Sequence, residues 1–293
     1  MGRRAIQWPE EKIALRIRQG FGQGTGQSYK GWFTARDLSS KGITTRFPCG
    51  PLGRGMLFLS NIEKNAFLGA AYLRSFVDYW EQWPMERRET LDIARSLGVR
   101  HPTYFGTNRP IVMTLDGVLT LREATGTTRE VLDSKPRWLA SNPRTAEKLA
   151  IHVEYARRRG WPYRRFSEHS VPQVIVFNLE WMLMGEVKKG EIRQVRDGVE
   201  AWAVRMHRTM LRQEPDFAQA RTVRGFCTAF DERNAIPSGC GLRCLKLLLL
   251  QRRVDFDIEK SHLELLRGPV TALKVNRVNA TAYAYASAEI RVG

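Results

Sequence analysis

Ile111-Val112-Met113-Thr114-Leu115-Asp116-Gly117-Val118-Leu119-Thr120-Leu121, followed after a polar break around Gly126 by Glu130-Val131-Leu132-Asp133-Ser134-Lys135-Pro136, is the stretch that decides the fold. Both halves are rich in β-branched and apolar residues, and the polar break between them reads as a turn. Pro136 ends the second half, since proline has no N–H for a ladder. The pair is therefore expected to be a β-hairpin. Such a hairpin brings Asp116 beside Asp133. Lys135, two residues beyond Asp133, projects from the same face of its strand. Two close carboxylates on rigid strands repel unless a cation neutralises them. Hard divalent ions bind carboxylates, water and phosphate oxygens, and a neighbouring lysine can stabilise charge on a phosphate or orient a water. The same residues also fit a surface aspartate and lysine on an edge strand.

Helical signals surround the hairpin. Thr145 to Arg159 has Leu149 and Val153 at four-residue spacing and ends at Gly160. His152 and Glu154 lie on it; on so basic a helix the expectation is that both are solvated. Ser60 to Arg74 opens with Ser60 and Glu63 in a capping-box arrangement, so Glu63 is either a cap or a third carboxylate for the Asp116 cluster. Phe76 to Trp83 reads as a strand closed by Pro84. Its Glu81 fits a salt-bridged residue or a site residue. Pro9 to Gln19 and Thr90 to Leu97 read as helices. Gly20-Phe21-Gly22-Gln23-Gly24-Thr25-Gly26 is a surface loop. A dinucleotide fingerprint would need a preceding strand and a following helix, and neither is present. The phosphate-loop pattern G-x-x-x-x-G-K-[ST] is absent as well.

Bulk properties limit the partners. The 293 residues include 47 Lys and Arg against 30 Asp and Glu, a net charge of +17. That surplus favours a polyanionic partner, with nucleic acid or an anionic membrane surface as the candidates. Hydrophobic content of 43% suffices for an ordinary core. No apolar run approaches the length of a membrane span, and the first residues do not read as a signal peptide. A soluble, cytoplasmic, nucleoid-associated protein is expected. Arg157-Arg158-Arg159-Gly160-Trp161-Pro162-Tyr163-Arg164-Arg165 is the densest basic run and suits either phosphate contact or a solvated surface. A boundary is expected near Glu168 to Pro172, dividing residues 1–170 from 171–293. Beyond it Val199 to Leu211 and Cys240 to Arg253 read as helices, Val254 to Ile258 as a strand, and Gln173 to Met184 as either type. On the second helix, Arg243, Lys246, Arg252 and Arg253 are expected to face solvent or DNA. Cys227, Cys240 and Cys244 are expected to be buried free thiols rather than a zinc site, since no fourth ligand is evident.

Ordered blocks carry a family resemblance. Ile13-Ala14-Leu15-Arg16-Ile17 leads into the glycine loop and Tyr29-Lys30-x-Trp32. Leu59-Ser60-Asn61-Ile62-Glu63, Val77-Asp78-Tyr79-Trp80-Glu81-Gln82-Trp83-Pro84, His101-Pro102, Met113-Thr114-Leu115-Asp116, Lys135-Pro136 and Asn178-Leu179-Glu180-Trp181 follow in order. Together they resemble the TnsA family of transposase endonucleases, and D…D-x-K resembles the motif of restriction-endonuclease-like nucleases. The resemblance implies an α/β fold: a restriction-endonuclease-like (PD-(D/E)xK) mixed sheet flanked by helices, plus a C-terminal winged-helix domain. It implies Glu63 and Asp116 as metal ligands and Lys135 as the catalytic lysine. Asp133 stands where the family often has glutamine and becomes a further candidate catalytic residue and ligand. Gly117 stands where the family usually has an aromatic residue. The implied cofactor is Mg²⁺, with Mn²⁺ able to substitute. The implied partners are double-stranded DNA at transposon ends, a DDE transposase subunit (TnsB-like) and an AAA+ ATP-dependent regulator (TnsC-like), with no membrane. The implied activity is hydrolysis of the 5′ strands at those ends while the DDE partner handles the 3′ ends. A stand-alone restriction or repair nuclease, and an inactive DNA-binding assembly protein, are the alternatives.

Overall fold

A computed structural model describes residues 8–37, 45–49, 52–139, 142–183, 185 and 193–277. The chain divides into two compact units, Met1–Val171 and Pro172–Gly293.

In the first unit the elements run α1 (Glu10–Arg18), β1 (Thr45–Cys49), β2 (Arg54–Phe58), α2 (Asn61–Ala71), β3 (Phe76–Pro84), α3 (Arg87–Ser96), β4 (Thr114–Glu123), β5 (Gly126–Ser134), α4 (Pro143–Arg158) and β6 (Tyr163–Phe166). Strands β3-β4-β5-β6 form one sheet in that order. The first three are antiparallel neighbours and β6 joins β5 in parallel. A parallel neighbour needs a crossover, and α4 supplies it. The result is the expected mixed α/β layer. On one side α3 and α4 bury Ile93, Ile151, Tyr155 and Ala156 against Trp80, Leu115, Val118 and Val131. Elsewhere Phe67 of α2 meets Tyr79 edge-on at 5.1 Å and Phe58 at 5.2 Å. Each such fully buried side chain contributes roughly 1.5–3 kcal/mol.

Gly117 has a steric reason here. A Cβ on it would lie 1.9 Å from Tyr79 Oη and 2.3 Å from Cζ. The Tyr79 ring of the neighbouring strand occupies the space a side chain at this position would need. The glycine loop is likewise tied down: Gly22 has a φ of +73°, and a Cβ there would strike Pro84.

The second unit contains α5 (Gln173–Leu183), α6 (Arg193–Leu211), α7 (Pro215–Ala218), α8 (Val223–Arg233), α9 (Cys240–Leu250), β7 (Val254–Asp255), α10 (His262–Arg267) and β8 (Lys274–Val275). Helix α9 is its centre and packs on α5, α6 and α8. Asp231 of α8 accepts hydrogen bonds from the N–H groups of Gly239 and Gly241 at the start of α9, at 2.7 and 2.5 Å. Gln173 to Leu183, ambiguous in sequence, is helical. Its Asn178 donates to the carbonyls of Ile258 and Lys260 and accepts from His262 N–H, so an interior polar residue is satisfied by the chain that follows α9. Cys227, Cys240 and Cys244 are buried free thiols, and burial pushes Cys227 and Cys244 up to about 12.

The basic residues of α9 are less open than their spacing suggested. Arg243 Nε donates to Gly185 O at 3.2 Å, Lys246 lies 5.0 Å over the Trp181 ring, Arg252 pairs with Asp255 at 3.0 Å, and Arg253 is buried. Among the described residues no helix is long and apolar enough to cross a membrane.

Candidate active site

Asp116 sits where the sheet loses its regular pairing. The β3–β4 ladder runs Glu81↔Gly117 and then Trp83↔Leu115, skipping Gln82 opposite Asp116. Gln82 has a positive φ of 49°, and its side chain donates to Leu57 O at 2.9 Å. On the other side the β4–β5 ladder ends at Gly117↔Leu132, while β5 continues its pairing with β6 through Asp133↔Arg165. The hairpin therefore opens at the two aspartates. Buried backbone N–H groups left by such an opening need partners, and the aspartates supply them reciprocally. Asp116 N–H donates to Asp133 Oδ1 at 3.2 Å, and Ser134 N–H donates to Asp116 Oδ2 at 2.8 Å.

Lys135 completes the cluster. Its Nζ donates to Asp116 Oδ2 at 2.7 Å and to Ser134 O at 3.0 Å. Burial works against its charge, but Asp116, Asp133 and Glu63 outweigh burial and hold its pKa above the usual lysine value. Lys135 is thus an ammonium at neutral pH, suited to stabilising negative charge rather than to accepting a proton.

Glu63 caps its own helix. Ser60 Oγ accepts from Glu63 N–H, and the Glu63 carboxyl accepts from Leu59 N–H at 2.9 Å and Ser60 Oγ at 3.1 Å. Such a cap stabilises a helix by about 1 kcal/mol. The carboxyl is also buried and senses Asp116: burial first, then the charge of Asp116, push it up to about 8. Asp116 is raised too, by burial and by Asp133, with Lys135 opposing. The capping role and the approach to Asp116 hold together, so the two sequence alternatives for Glu63 are not exclusive.

Asp133 differs. It is fully buried, and both its oxygens are engaged. Oδ1 accepts from Asp116 N–H; Oδ2 is hydrogen-bonded to His152 Nδ1 and accepts from Tyr163 Oη at 2.8 Å. Burial, which alone would raise its pKa, is outweighed by His152, Lys135 and the Tyr163 hydroxyl, and the carboxyl is held below the usual range.

His152 corrects an expectation. It is buried and faces the cluster rather than solvent, while Glu154 two residues on pairs with Arg157 and Arg158. The signal was present in the spacing: Leu149, His152 and Ala156 share one helical face, and both flanking residues are core. Tyr163, on β6, was missed entirely, because its contact depends on the parallel pairing of β5 with β6. Glu81 is a salt-bridged residue, 2.7 Å from Arg54. The basic run after α4 is largely neutralised: Arg158 also reaches Asp92, Arg159 pairs with Glu89, and Arg164 with Glu130.

The structure thus brings Glu63, Asp116, Asp133 and Lys135 into one electrostatic cluster. Among the described residues no group of three or more His, Cys, Asp or Glu side chains is arranged to hold a metal ion. Asp116 is the most open of the acids, 17% exposed, and no described group donates to its Oδ1.

Residues 74–168, which carry β3 through β6 with both aspartates and Lys135, match the TnsA-like endonuclease N-terminal family. The N-terminal unit is therefore similar to the TnsA-like endonuclease N-terminal family over its four-stranded sheet. A curated relative, the Transposon Tn7 transposition protein TnsA of Escherichia coli, is 30% identical over 173 residues, 59% of this chain. The chain spans 62% of that relative's length. The opened hairpin, and the acids and lysine at its mouth, lie inside the part matched to the TnsA-like domain.

Proposed function

We propose that this chain is the metal-dependent endonuclease subunit of a heteromeric cut-and-paste transposase, hydrolysing the 5′ strands at transposon ends. The observation that carries the reading is the Asp116–Lys135 contact at the mouth of the opened hairpin, inside the matched domain. A DDE transposase (TnsB-like) acting on the 3′ ends and an ATP-dependent regulator (TnsC-like) are the partners that the relative's role in transposition suggests. The C-terminal unit, with α8, α9 and the short β7–β8 ladder after them, is proposed to be a winged helix serving DNA or partner contact.

Glu63 and Asp116 suit a hard divalent cation, Mg²⁺ or Mn²⁺. Both are acids whose ionised forms are disfavoured by burial and by a neighbouring carboxylate, a conflict that a cation relieves. When bound, the cation supplies Lewis-acid polarisation of the phosphate and a more acidic water. The remaining steps belong to the side chains. Asp116, pinned through Oδ2 by Ser134 N–H and by Lys135, keeps Oδ1 without a described donor and so available to a cation. Lys135 places its ammonium where negative charge grows on the phosphate. Asp133 is proposed to hold Asp116 in register, since its oxygens are already committed. Water adds to phosphorus and gives up a proton to bulk solvent, the bond to the leaving sugar oxygen breaks, and that oxygen takes up a proton from solvent.

A reconstituted excision assay tests the reading. Lys135→Ala is expected to lower 5′ cleavage by about 10²–10³-fold while 3′ joining by the partner persists. Unchanged 5′ cleavage would remove Lys135 from the site. Robust Mg²⁺-dependent cutting of plasmid by the isolated chain would favour the stand-alone nuclease instead.

A further inference from the structure

Four of the five arginines in the basic run most conspicuous in sequence are engaged in ion pairs, which leaves open where a DNA strand would lie. A second cationic region adjoins the cluster. An open cleft of about 790 Å³ is lined by Arg100, Pro102, Thr103, Tyr104, Phe105, Gly106, Asn108, Arg144 and Lys148. Arg100 and Lys148 are exposed, and neither has an ion-pair partner among the described residues. Arg144 pairs with Glu147 and donates to Arg100 O at 2.5 Å, which fixes the cleft wall. Arg144, Lys148 and His152 recur every four residues along α4, so they form one stripe. The stripe ends on Asp133 through His152. Burial first, then the charges of Arg144 and Lys135, lower the Lys148 pKa, so Lys148 is close enough to the cluster to sense Lys135. The opposite wall is a small hairpin, tied by the Thr103↔Pro110 bridge and the Tyr104 N–H to Arg109 O bond at 2.9 Å. It presents Phe105, 78% exposed.

We propose that this cleft binds the DNA backbone flanking the scissile phosphate, with Arg100 and Lys148 on phosphates, Arg144 holding the wall, and Phe105 against a sugar or base. Eight helical steps separate Arg144 from His152, a rise of ~12 Å, the axial length of about three to four nucleotides of one strand. Lys148, midway along this stripe, lies on the path of a strand that leaves the cluster along the helix. Phosphate contacts of this kind position the duplex and carry no sequence information. The surface would serve any end sequence. The proposal rests on the nuclease reading for its ligand, not for its geometry.

The test is fluorescence anisotropy of the full chain with a labelled duplex of about 30 base pairs, without divalent metal, from about 50 to 200 mM salt. The wild type is expected to bind with a steep salt dependence. The double variant Arg100→Gln/Lys148→Gln should lose about tenfold or more in affinity and about two units of salt slope. Phe105→Ala should weaken binding without changing the slope. Arg157→Gln, in the neutralised run, serves as the contrasting variant and should bind like the wild type. Melting curves for every variant show that the fold is retained. Wild-type affinity and slope in the double variant would overturn the proposal, as would a wild type that binds no duplex at low salt. Asp116→Asn separates the two readings: it should bind normally and fail to cut. A wild type that never cuts in the reconstituted excision assay, yet loses DNA when Arg100 and Lys148 are changed, would sink the nuclease reading and leave the cleft standing.

Discussion

Asp116 and Asp133 face each other across the same hairpin, and their surroundings push them in opposite directions. Asp116 is partly exposed, keeps one oxygen without a described donor, and has a raised pKa. Asp133 is sealed, has both oxygens engaged and a lowered pKa. A carboxylate given donors on every side is stable but chemically occupied. One left short of donors is less stable as an anion and available to a cation. The symmetry of D…D-x-K in sequence therefore hides an asymmetry of surroundings, and on the proposed reading one acid serves chemistry while the other holds it.

The largest expected effect follows from that asymmetry. Asp116→Asn should lower DNA cleavage by about 10³-fold, comparable to loss of a principal charge-stabilising group. Asp133→Asn should lower it by only about 10–100-fold, the range for partners that orient a ligand. Cleavage rates of the two variants under saturating Mg²⁺ decide it. Equal losses would break the comparison and make Asp133 a direct participant.

Stability against pH separates the two kinds of acid next. Glu63, at about 8, holds its proton more tightly folded than unfolded, where the carboxyl sits near 4.5. Stability of the metal-free protein should therefore fall as pH rises from about 4.5 to 8, and Asp116 acts in the same sense. Asp133 has the opposite sign. Its contribution is present above the ordinary aspartate value of 3.8 and is lost as pH falls. Calorimetry at pH 6 and pH 8 should show a lower melting temperature at pH 8, by roughly a few degrees. Mg²⁺ should restore it, because a cation bound only by the native state stabilises it. Glu63→Gln should flatten both responses. A wild-type melting temperature indifferent to Mg²⁺ at pH 8 would count against Glu63 and Asp116 as ligands.

Local chemistry made part of this legible in sequence. Alternating apolar residues and the break at Gly126 located the hairpin, and Ser60 with Glu63 announced a helix start. Asp133-Ser134-Lys135 put the acid and lysine on one strand face. Tertiary pairing made the rest illegible. His152 reads as solvated because its helix is basic, although Leu149 and Ala156 mark its face as buried. Tyr163 reaches Asp133 only because β6 pairs in parallel with β5. The arginines after α4 seemed free because Glu89 and Asp92, which neutralise Arg159 and Arg158, lie on α3, more than 60 residues earlier. Charge density along a chain therefore overstates the charge available to a ligand wherever helices pack side by side.

The smallest effect probes how Asp133 is held. Tyr163→Phe deletes the 2.8 Å hydrogen bond to Asp133 Oδ2 and little else. A hydrogen bond to a charged group contributes about 1.5–3 kcal/mol, but His152 remains on the same oxygen and Asp116 N–H on the other. The loss in stability should therefore lie near the lower end, about 1–2 kcal/mol, read as a lower urea midpoint with an unchanged slope. Cleavage should change by less than about tenfold, because Asp116 keeps its own contacts to Ser134 N–H and Lys135. If Tyr163→Phe instead cuts as poorly as Asp116→Asn while melting like the wild type, its hydroxyl acts on the substrate, and the holding role assigned to Asp133 moves to chemistry.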